Sequence, residues 1–205
     1  MTKVTIIDYG MGNLGSIRNM FKRIGAESEI TGDHEKISAA EKILLPGVGA
    51  FDAAMERINQ NGLLDLLNRK ALVEKVPTLG ICLGMQLLTN SSEEGKLPGL
   101  GWIPAKTVKF VFEAGSKLKV PHMGWNLVEV KNKSALIEEL PEETRFYFVH
   151  SYYVKVEDER HVLTTTTHGI QFHSIIQKEN IFGAQFHPEK SHKYGMKLLE
   201  NFARI

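Results

Sequence analysis

Cys82 is the one cysteine of this chain, and the residues around it suit a nucleophile. It lies in Gly80-Ile81-Cys82-Leu83-Gly84, directly after the apolar residues 76–79, and this pattern predicts a strand that turns sharply into a helix. Glycines two before and two after the cysteine relieve the crowding of such a turn, as in the nucleophile elbow of hydrolases. The free N–H groups at the start of the helix favour thiolate over thiol. The alternative is a small buried hydrophobic residue, which is the common state of a free cysteine.

A cysteine nucleophile needs a base, and the tripeptide His187-Pro188-Glu189 offers one late in the chain. Proline biases His187 towards an extended backbone, in which residues i and i+2 point to the same side. Glu189 is therefore expected to hold one ring nitrogen of His187 while the other faces Cys82, which makes a Cys-His-Glu triad. The alternative is that His187 ends an edge strand and Glu189 caps the helix that follows.

Two further glycine motifs follow predicted strands. Pro46-Gly47-Val48-Gly49 comes after the third strand, which should neighbour the strand before Cys82, so an N–H there is expected to face a developing oxyanion beside the N–H of Leu83. An ordinary strand-to-helix turn would use the same residues.

Gly10-Met11-Gly12-Asn13-Leu14-Gly15 has the dinucleotide-binding spacing, but a lone glycine fingerprint is a weak signal, and NAD binding is the less favoured interpretation.

The elements that must position these residues alternate in the first half of the chain. Apolar periodicity predicts strands at 4–7, 28–30, 42–45 and 78–81 and helices at 13–24, across Met55 to Leu67, and from 85 onwards. After the Gly/Pro-rich residues 96–102, short alternating segments at 108–111, 126–130, 146–149 and 154–156 predict antiparallel strands, and 196–203 predicts a helix. The expected fold class is α/β: one domain over 1–205, with a central, mostly parallel mixed sheet, helices on both faces and added antiparallel strands.

Composition narrows the class of protein. Of 205 residues, 42% are hydrophobic, enough for a sizeable core, and the net charge of +1 gives no sign of a nucleic-acid or membrane partner. A single cysteine excludes an internal disulfide, and neither a signal peptide nor an apolar run of membrane-spanning length is predicted, so a cytoplasmic location is expected. The eight histidines lack metal-ligand spacing, and no metal site is predicted.

The motifs together resemble those of the class I, or triad, glutamine amidotransferases. Residues 80–86 are similar to the nucleophile motif of that family, and His187-Pro188-Glu189 is similar to its His/Glu pair. Within the class, the chain is most similar to the glutaminase subunits of imidazole glycerol phosphate synthases. The segments that carry this narrower resemblance are 8–14, 45–51, 121–126, 148–152 and 185–191.

The resemblance implies a chemistry and a set of site residues. Cys82 would attack the side-chain amide of glutamine, His187 would move the protons, and Glu189 would orient His187. Water would then release glutamate from a γ-glutamyl thioester, with no cofactor. The positions implied for the oxyanion hole and the substrate are Gly47, Val48, Gly49, Leu83, Gly84, Gln86, His150, Ser151 and Tyr152.

The resemblance also implies a partner. This would be a (β/α)₈ cyclase, in a heterodimer that uses the ammonia to make imidazole glycerol phosphate and AICAR in histidine biosynthesis. Asn13, Met123, Trp125 and Lys190 match positions at that contact. A mobile oxyanion strand at 46–49 would keep the free subunit nearly inactive.

Gly15 and the threonines at 164–167 depart from the family pattern and leave open a paralogue that supplies ammonia to a sugar-amidating partner in surface polysaccharide biosynthesis. Rival classes are a cysteine hydrolase of the peptidase or chaperone-like type and a binding subunit that has lost turnover.

Overall fold

A computed structural model describes residues 2–113 and 115–205 of the chain. The α-helices are α1 (Leu14–Arg23), α2 (His34–Ser38), α3 (Phe51–Gln60), α4 (Leu64–Asn68), α5 (Leu83–Leu87) and α6 (His192–Arg204). The strands are β1 (Val4–Ile7), β2 (Ser28–Thr31), β3 (Ile43–Leu45), β4 (Thr78–Ile81), β5 (Ser91–Ser92), β6 (Ala105–Lys109), β7 (His122–Leu127), β8 (Glu129–Val130), β9 (Arg145–His150), β10 (Tyr152–Val156), β11 (Val162–His168), β12 (Ile170–Lys178) and β13 (Ile181–Ala184).

One large mixed sheet organises the described residues. Its strand order is β2-β1-β3-β4-β13-β12-β10-β6-β5, with β11 pairing β12 and β8 pairing β11. The run from β2 to β13 is parallel, whereas β12, β10 and β6 continue it in antiparallel fashion. Strands β7 and β9 pair with each other in a separate antiparallel ribbon. The predicted α/β class, with antiparallel strands added in the second half, is confirmed.

The core lies on both faces of the parallel strands. Ile6, Leu44 and Leu79 belong to a buried cluster with apolar residues of α1 and α6. Their neighbours Ile7, Ile43 and Leu45 point the other way, into a cluster with residues of α3 and α5. Because successive side chains of a strand alternate between faces, a continuous apolar run is what a strand covered on both sides requires.

The structure departs from the sequence prediction at several elements. The helix expected across Met55 to Leu67 is divided into α3 and α4, because Gly62 takes a positive φ of 65° between them. The strand expected at 126–130 begins earlier and is divided into β7 and β8 on either side of Val128. The long hairpin of β11 and β12 was not predicted, because its inward positions include hydroxyl groups. Thr164 and Ser174, both fully buried, bond to each other at 2.8 Å.

The dinucleotide interpretation of the Gly10–Gly15 motif does not fit the local structure. A Cβ at Gly10 would lie 2.5 Å from the Arg57 guanidinium, whereas a Cβ at Gly15, inside α1, would meet nothing within 4 Å. The third glycine of a dinucleotide fingerprint serves close packing of helix on strand, and Gly15 has no such contact. Among residues 2–113 and 115–205, no helix is long and apolar enough to cross a bilayer.

Candidate active site

The turn from β4 into α5 presents Cys82 in a strained conformation. Its φ of 54° and ψ of −110° lie in a region that non-glycine residues rarely adopt, and such outliers concentrate at functional sites. A Cβ at Gly80 would lie 2.6 Å from the carbonyl oxygen of Gly84, and one at Gly84 would overlap the Leu45 carbonyl. The two flanking glycines are therefore required by close packing of the turn, as the sequence predicted.

Parallel pairing of β13 with β4 delivers His187 to the same sheet edge as Cys82. Ala184 lies opposite Ile81 in the register, and its carbonyl accepts the N–H of Cys82 at 2.7 Å. Since the carboxyl ends of parallel strands meet at one edge, the residues just after β13 reach the elbow. His187 is fixed there by its own N–H, which donates to the Tyr147 carbonyl of β9 at 2.9 Å.

Glu189 holds the ring of His187 from behind. The Nδ1–H of His187 donates to Oε1 of Glu189 at 2.8 Å, and the two side chains are only 4% and 3% exposed. His187 has the predicted extended backbone, with φ of −100° and ψ of 98°. Glu189 reaches the ring because the residues after His187, Pro188–Lys190, form a 3₁₀ turn and do not continue the extended segment. The edge-strand alternative is wrong, since β13 lies between β4 and β12. Glu189 makes no cap for α6, whose N-cap is Ser191.

Two opposing effects set the charge of His187. Burial lowers its pKa, but hydrogen bonds to Cys82 and Glu189, together with their charges, outweigh burial and raise the pKa of His187 to about 10. The second oxygen of Glu189 has no hydrogen-bond partner within the described part of the chain, so the imidazolium is the main compensation for that buried carboxylate. The ring of His187 therefore carries a positive charge at neutral pH.

A cavity of about 370 Å³ opens over Cys82. Most of the predicted oxyanion and substrate residues line it: Val48, Gly49, Leu83, Gln86, His150, Ser151 and Tyr152, together with His187 and Lys190. Gly47 and Gly84 lie behind its wall, where a Cβ on Gly47 would be 2.8 Å from the Gly84 nitrogen. Asn13, Met123 and Trp125 lie outside the cavity.

The predicted oxyanion segment is tied at both ends and free between them. The Tyr9 hydroxyl donates to the Pro46 carbonyl at 2.7 Å, and the Phe51 N–H donates to Oε2 of Glu94 at 3.0 Å. Between these anchors Val48 is 43% exposed, and neither Val48 nor Gly49 donates a backbone hydrogen bond to another described residue. The N–H groups of this segment are therefore available to a ligand.

The predicted partner-contact residues lie on the surface. Met123 and Trp125 alternate along β7 and are 63% and 44% exposed, which excludes the core-packing alternative for both. The Trp125 ring stacks on His192 at 5.5 Å, and Lys190 lies 5.7 Å from the centre of the Tyr147 ring. Asn13 is exposed at the start of α1 and makes no side-chain cap there.

The geometry has a counterpart among known proteins. The profile of the class-I glutamine amidotransferases matches residues 5–205. The chain belongs to the class-I glutamine amidotransferase family. It is therefore an enzyme of the glutamine amidotransferase class.

Named relatives refine the position of the chain within the class-I glutamine amidotransferases. It is 58% identical to the imidazole glycerol phosphate synthase subunit HisH 2 of Methanococcus maripaludis, over 98% of each chain. It is 46% identical to subunit HisH 2 of Pseudomonas aeruginosa, over 98% of this chain and 99% of that one. It is 43% identical to subunit HisH of Bdellovibrio bacteriovorus, over 98% of this chain and all of that one. The chain therefore groups with the HisH subunits.

Solved class-I glutamine amidotransferases share the fold. A crystal structure of a glutamine amidotransferase superimposes with a TM-score of 0.74 at 19% identity, over 98% of this chain and 99% of that one. The structure of PurLQS from Thermotoga maritima gives a TM-score of 0.72 at 17% identity, over 100% of this chain and 99% of that one. At such low identity these likenesses support the fold alone.

Sequence reasoning missed three side chains around this amidotransferase site. Glu94 lines the cavity, although nothing in its local sequence marks it. Gln185, fully buried, places its Nε2 3.9 Å from the Cys82 sulfur, and its position two before His187 was the available signal. Ser191 accepts the Tyr147 N–H at 3.0 Å and donates to the His187 carbonyl at 2.6 Å, which fixes the turn that carries the histidine.

Proposed function

We propose that the chain hydrolyses glutamine to glutamate and ammonia through a γ-glutamyl thioester on Cys82. The observation that carries this proposal is the buried alignment of Cys82, His187 and Glu189 at one edge of the sheet, under a cavity. A charge-assisted Cys–His pair, with a third group orienting the histidine, is the arrangement that nucleophilic acyl transfer needs.

The steps follow from the protonation of this pair. The Cys82 thiolate attacks the amide carbon of glutamine, and the carbonyl electrons form an oxyanion. The His187 imidazolium gives its Nε2 proton to the departing nitrogen, the C–N bond breaks, and ammonia leaves. Neutral His187 then takes a proton from water, whose oxygen attacks the thioester, and the Cys82 thiolate leaves as glutamate forms.

The groups around the cavity supply the remaining functions in this proposal. Backbone N–H groups of Leu83, Val48 and Gly49 would hold the oxyanion, since they have no competing acceptor among the described residues. Gln86 and residues 150–152 would hold the amino-acid end of glutamine. The carboxylate of Glu94 would pair with the α-ammonium group, because it is the acidic side chain that lines this cavity outside the proposed triad.

The partner we propose is a (β/α)₈ cyclase that receives the ammonia in histidine biosynthesis, in the cytoplasm. Support comes from the HisH relatives and from the surface itself. The exposed apolar side chains of β7 begin two residues after Pro121, which lines the cavity. Lys190 also lines the cavity and lies 5.7 Å from the ring of Tyr147, which is opposite Trp125 in the strand register. A partner seated there would cover the mouth of the cavity and collect the product. None of the three relatives named above supports the sugar-amidating alternative.

Glutamate release measured with and without a candidate cyclase subunit tests this proposal. Wild-type protein with the cyclase is expected to release glutamate rapidly, and Cys82→Ala is expected to release none while still binding the cyclase. A conservative surface change such as Val111→Ala serves as the matched control. Sustained hydrolysis by Cys82→Ala would contradict the assignment of the nucleophile, and cleavage of peptides without the cyclase would favour the peptidase alternative.

A further inference from the structure

A chain of hydrogen bonds runs from β7 to the wall of the cavity. Asn126 Nδ2 lies 3.1 Å from Nε2 of His122. His122 Nδ1 lies 3.0 Å from Nε2 of His150, and His150 Nδ1 lies 2.8 Å from the Tyr152 carbonyl oxygen. Both histidines are buried, and they pack among Phe110, Phe148 and Phe172.

The groups at the two ends of this hydrogen-bond chain determine which nitrogen of each imidazole ring carries a proton. At one end, Asn126 Nδ2 donates to the Thr167 carbonyl at 2.9 Å, and its Oδ1 accepts the Leu127 N–H at 2.9 Å, so the amide cannot be turned over without losing both bonds. An N–H of Asn126 therefore faces His122 Nε2, which must accept. At the other end, the Tyr152 carbonyl can only accept, so His150 Nδ1 carries a proton.

Only one arrangement satisfies both ends. His122 donates from Nδ1, His150 accepts at Nε2, and His150 donates from Nδ1 to the carbonyl. An added proton on either ring would set two donors against each other, since every ring nitrogen is already used. Burial acts in the same direction: it lowers the pKa of His150 to about 3 and that of His122 to about 4.

The hydrogen-bond chain ends at the Tyr152 carbonyl, in the wall of the cavity over Cys82. The Tyr152 carbonyl that accepts from His150 also accepts from Gln86 Nε2 at 3.1 Å. Gln86, His150 and Tyr152 all line the cavity over Cys82, whereas His122 and Asn126 do not. The orientation of one ring outside the cavity thus fixes three groups inside it.

We propose that His122 is a positioning residue for the glutamine site. Its Nδ1–H holds the ring of His150, and through that ring the Tyr152 carbonyl and the Gln86 amide, in the arrangement that receives the substrate. The proposal rests on the glutaminase activity proposed above. It assigns to His122 a role in substrate binding without direct contact with the substrate.

Three variants separate this role from simple packing. His122→Leu removes the donor to His150, whereas His122→Asn keeps an N–H donor close to the position of Nδ1 and should rescue the chain. His168→Leu is the matched control, because the His168 ring stacks on His122 at 4.3 Å but bonds to the Lys119 carbonyl, outside the chain.

Kinetics of each variant in complex with the cyclase give the functional readout. Loss of one buried hydrogen bond is expected to raise the KM for glutamine by about tenfold in His122→Leu, with a smaller change in kcat. The KM of His122→Asn should stay within about threefold of the wild-type value, and that of His168→Leu should be unchanged, since neither substitution interrupts the hydrogen-bond chain. An unchanged KM in His122→Leu, or an equal rise in His168→Leu, would overturn the proposal.

Nitrogen-15 NMR of the imidazole rings tests the hydrogen-bond chain independently of activity. In the free wild-type protein at pH 7, His150 should be protonated on Nδ1 and unprotonated on Nε2. The chemical shift of Nε2 should change in His122→Leu and return to the wild-type value in His122→Asn. A proton on Nε2 of wild-type His150 would overturn the proposal. Absence of hydrolysis in wild-type protein, with the predicted tautomer present, would instead contradict the proposed function and the role of His122 in it.

Discussion

At the scale of single residues, His187 combines burial with two partners that favour its charged form. Burial lowers its pKa, and the hydrogen bonds with Cys82 and Glu189 raise it to about 10. A free histidine has a pKa of about 6.5. Between these values the His187 ring carries a proton in the folded protein that it lacks in the unfolded chain. His187 therefore contributes stability that is complete below pH 6.5 and is lost as the pH rises towards 10.

The first prediction concerns the source of this shift. Glu189→Gln keeps an oxygen that can accept from Nδ1 but removes the negative charge, so the pKa of His187 should fall well below its wild-type value. An NMR titration of the ring measures the change. Glu200→Gln, in an exposed pair with Arg204 on α6, is the control and should leave the titration unaltered. An unchanged pKa in Glu189→Gln would mean that Glu189 does not hold the proton on His187.

At the scale of elements, the elbow depends on how closely α5 approaches β3. A Cβ at Gly84 would overlap the carbonyl oxygen of Leu45, which is backbone in the middle of the sheet and cannot move aside. Gly15 offers a contrast, because it lies in α1 with open space around the position of a Cβ.

The second prediction compares these two glycines. Gly84→Ala should destabilise the protein by about 1–3 kcal/mol or more, because added atoms in a packed region force the backbone apart. Gly15→Ala should stabilise it by about 0.5–1 kcal/mol, because alanine loses less entropy in a helix. Urea unfolding measures both. Equal effects of the two substitutions would show that the turn at Cys82 is less tightly packed than described.

The sequence predicted the elements whose signals are local. Strand β4 and the elbow follow from an apolar run and two glycines, and the neighbourhood of β3 and β4 follows from alternating strands and helices. Non-local features escaped prediction. The turn that brings Glu189 to His187 depends on Ser191 and β9, and the β11–β12 hairpin contains a buried hydrogen bond between two hydroxyl groups. The hydrogen-bond chain from Asn126 to the Tyr152 carbonyl joins segments that come together only in the folded protein.

At the scale of the whole molecule, the cavity and an apolar surface adjoin each other. Met123, Trp125 and Leu127 share the outer face of β7, while His122 and Asn126 share its inner face. One strand therefore carries both the proposed docking residues and the residues that hold the substrate wall. Val48 and Gly49, whose N–H groups have no acceptor among the described residues, line the same cavity. A docked partner would therefore lie against the segment that is anchored only at its ends.

The third prediction concerns this surface. Trp125→Ala should weaken binding of the cyclase by about tenfold or more, since exposed aromatic residues commonly dominate such contacts. It should leave the folded protein intact. Val73→Ala, at a valine that is 75% exposed and lies outside the β7 face, should leave the affinity unchanged. Titration calorimetry gives both values, and equal affinities for Trp125→Ala and wild type would exclude this face as the docking site.

The covalent intermediate tests the central claim most directly. Wild-type protein with the cyclase should be mixed with glutamine, quenched in acid within its first turnover, digested and weighed by mass spectrometry. The account predicts a mass gain of one γ-glutamyl group on the peptide that contains Cys82, absent from Cys82→Ala and lost when turnover runs to completion before quenching. Glutamate release without any adduct on Cys82, or at an undiminished rate in Cys82→Ala, would contradict it.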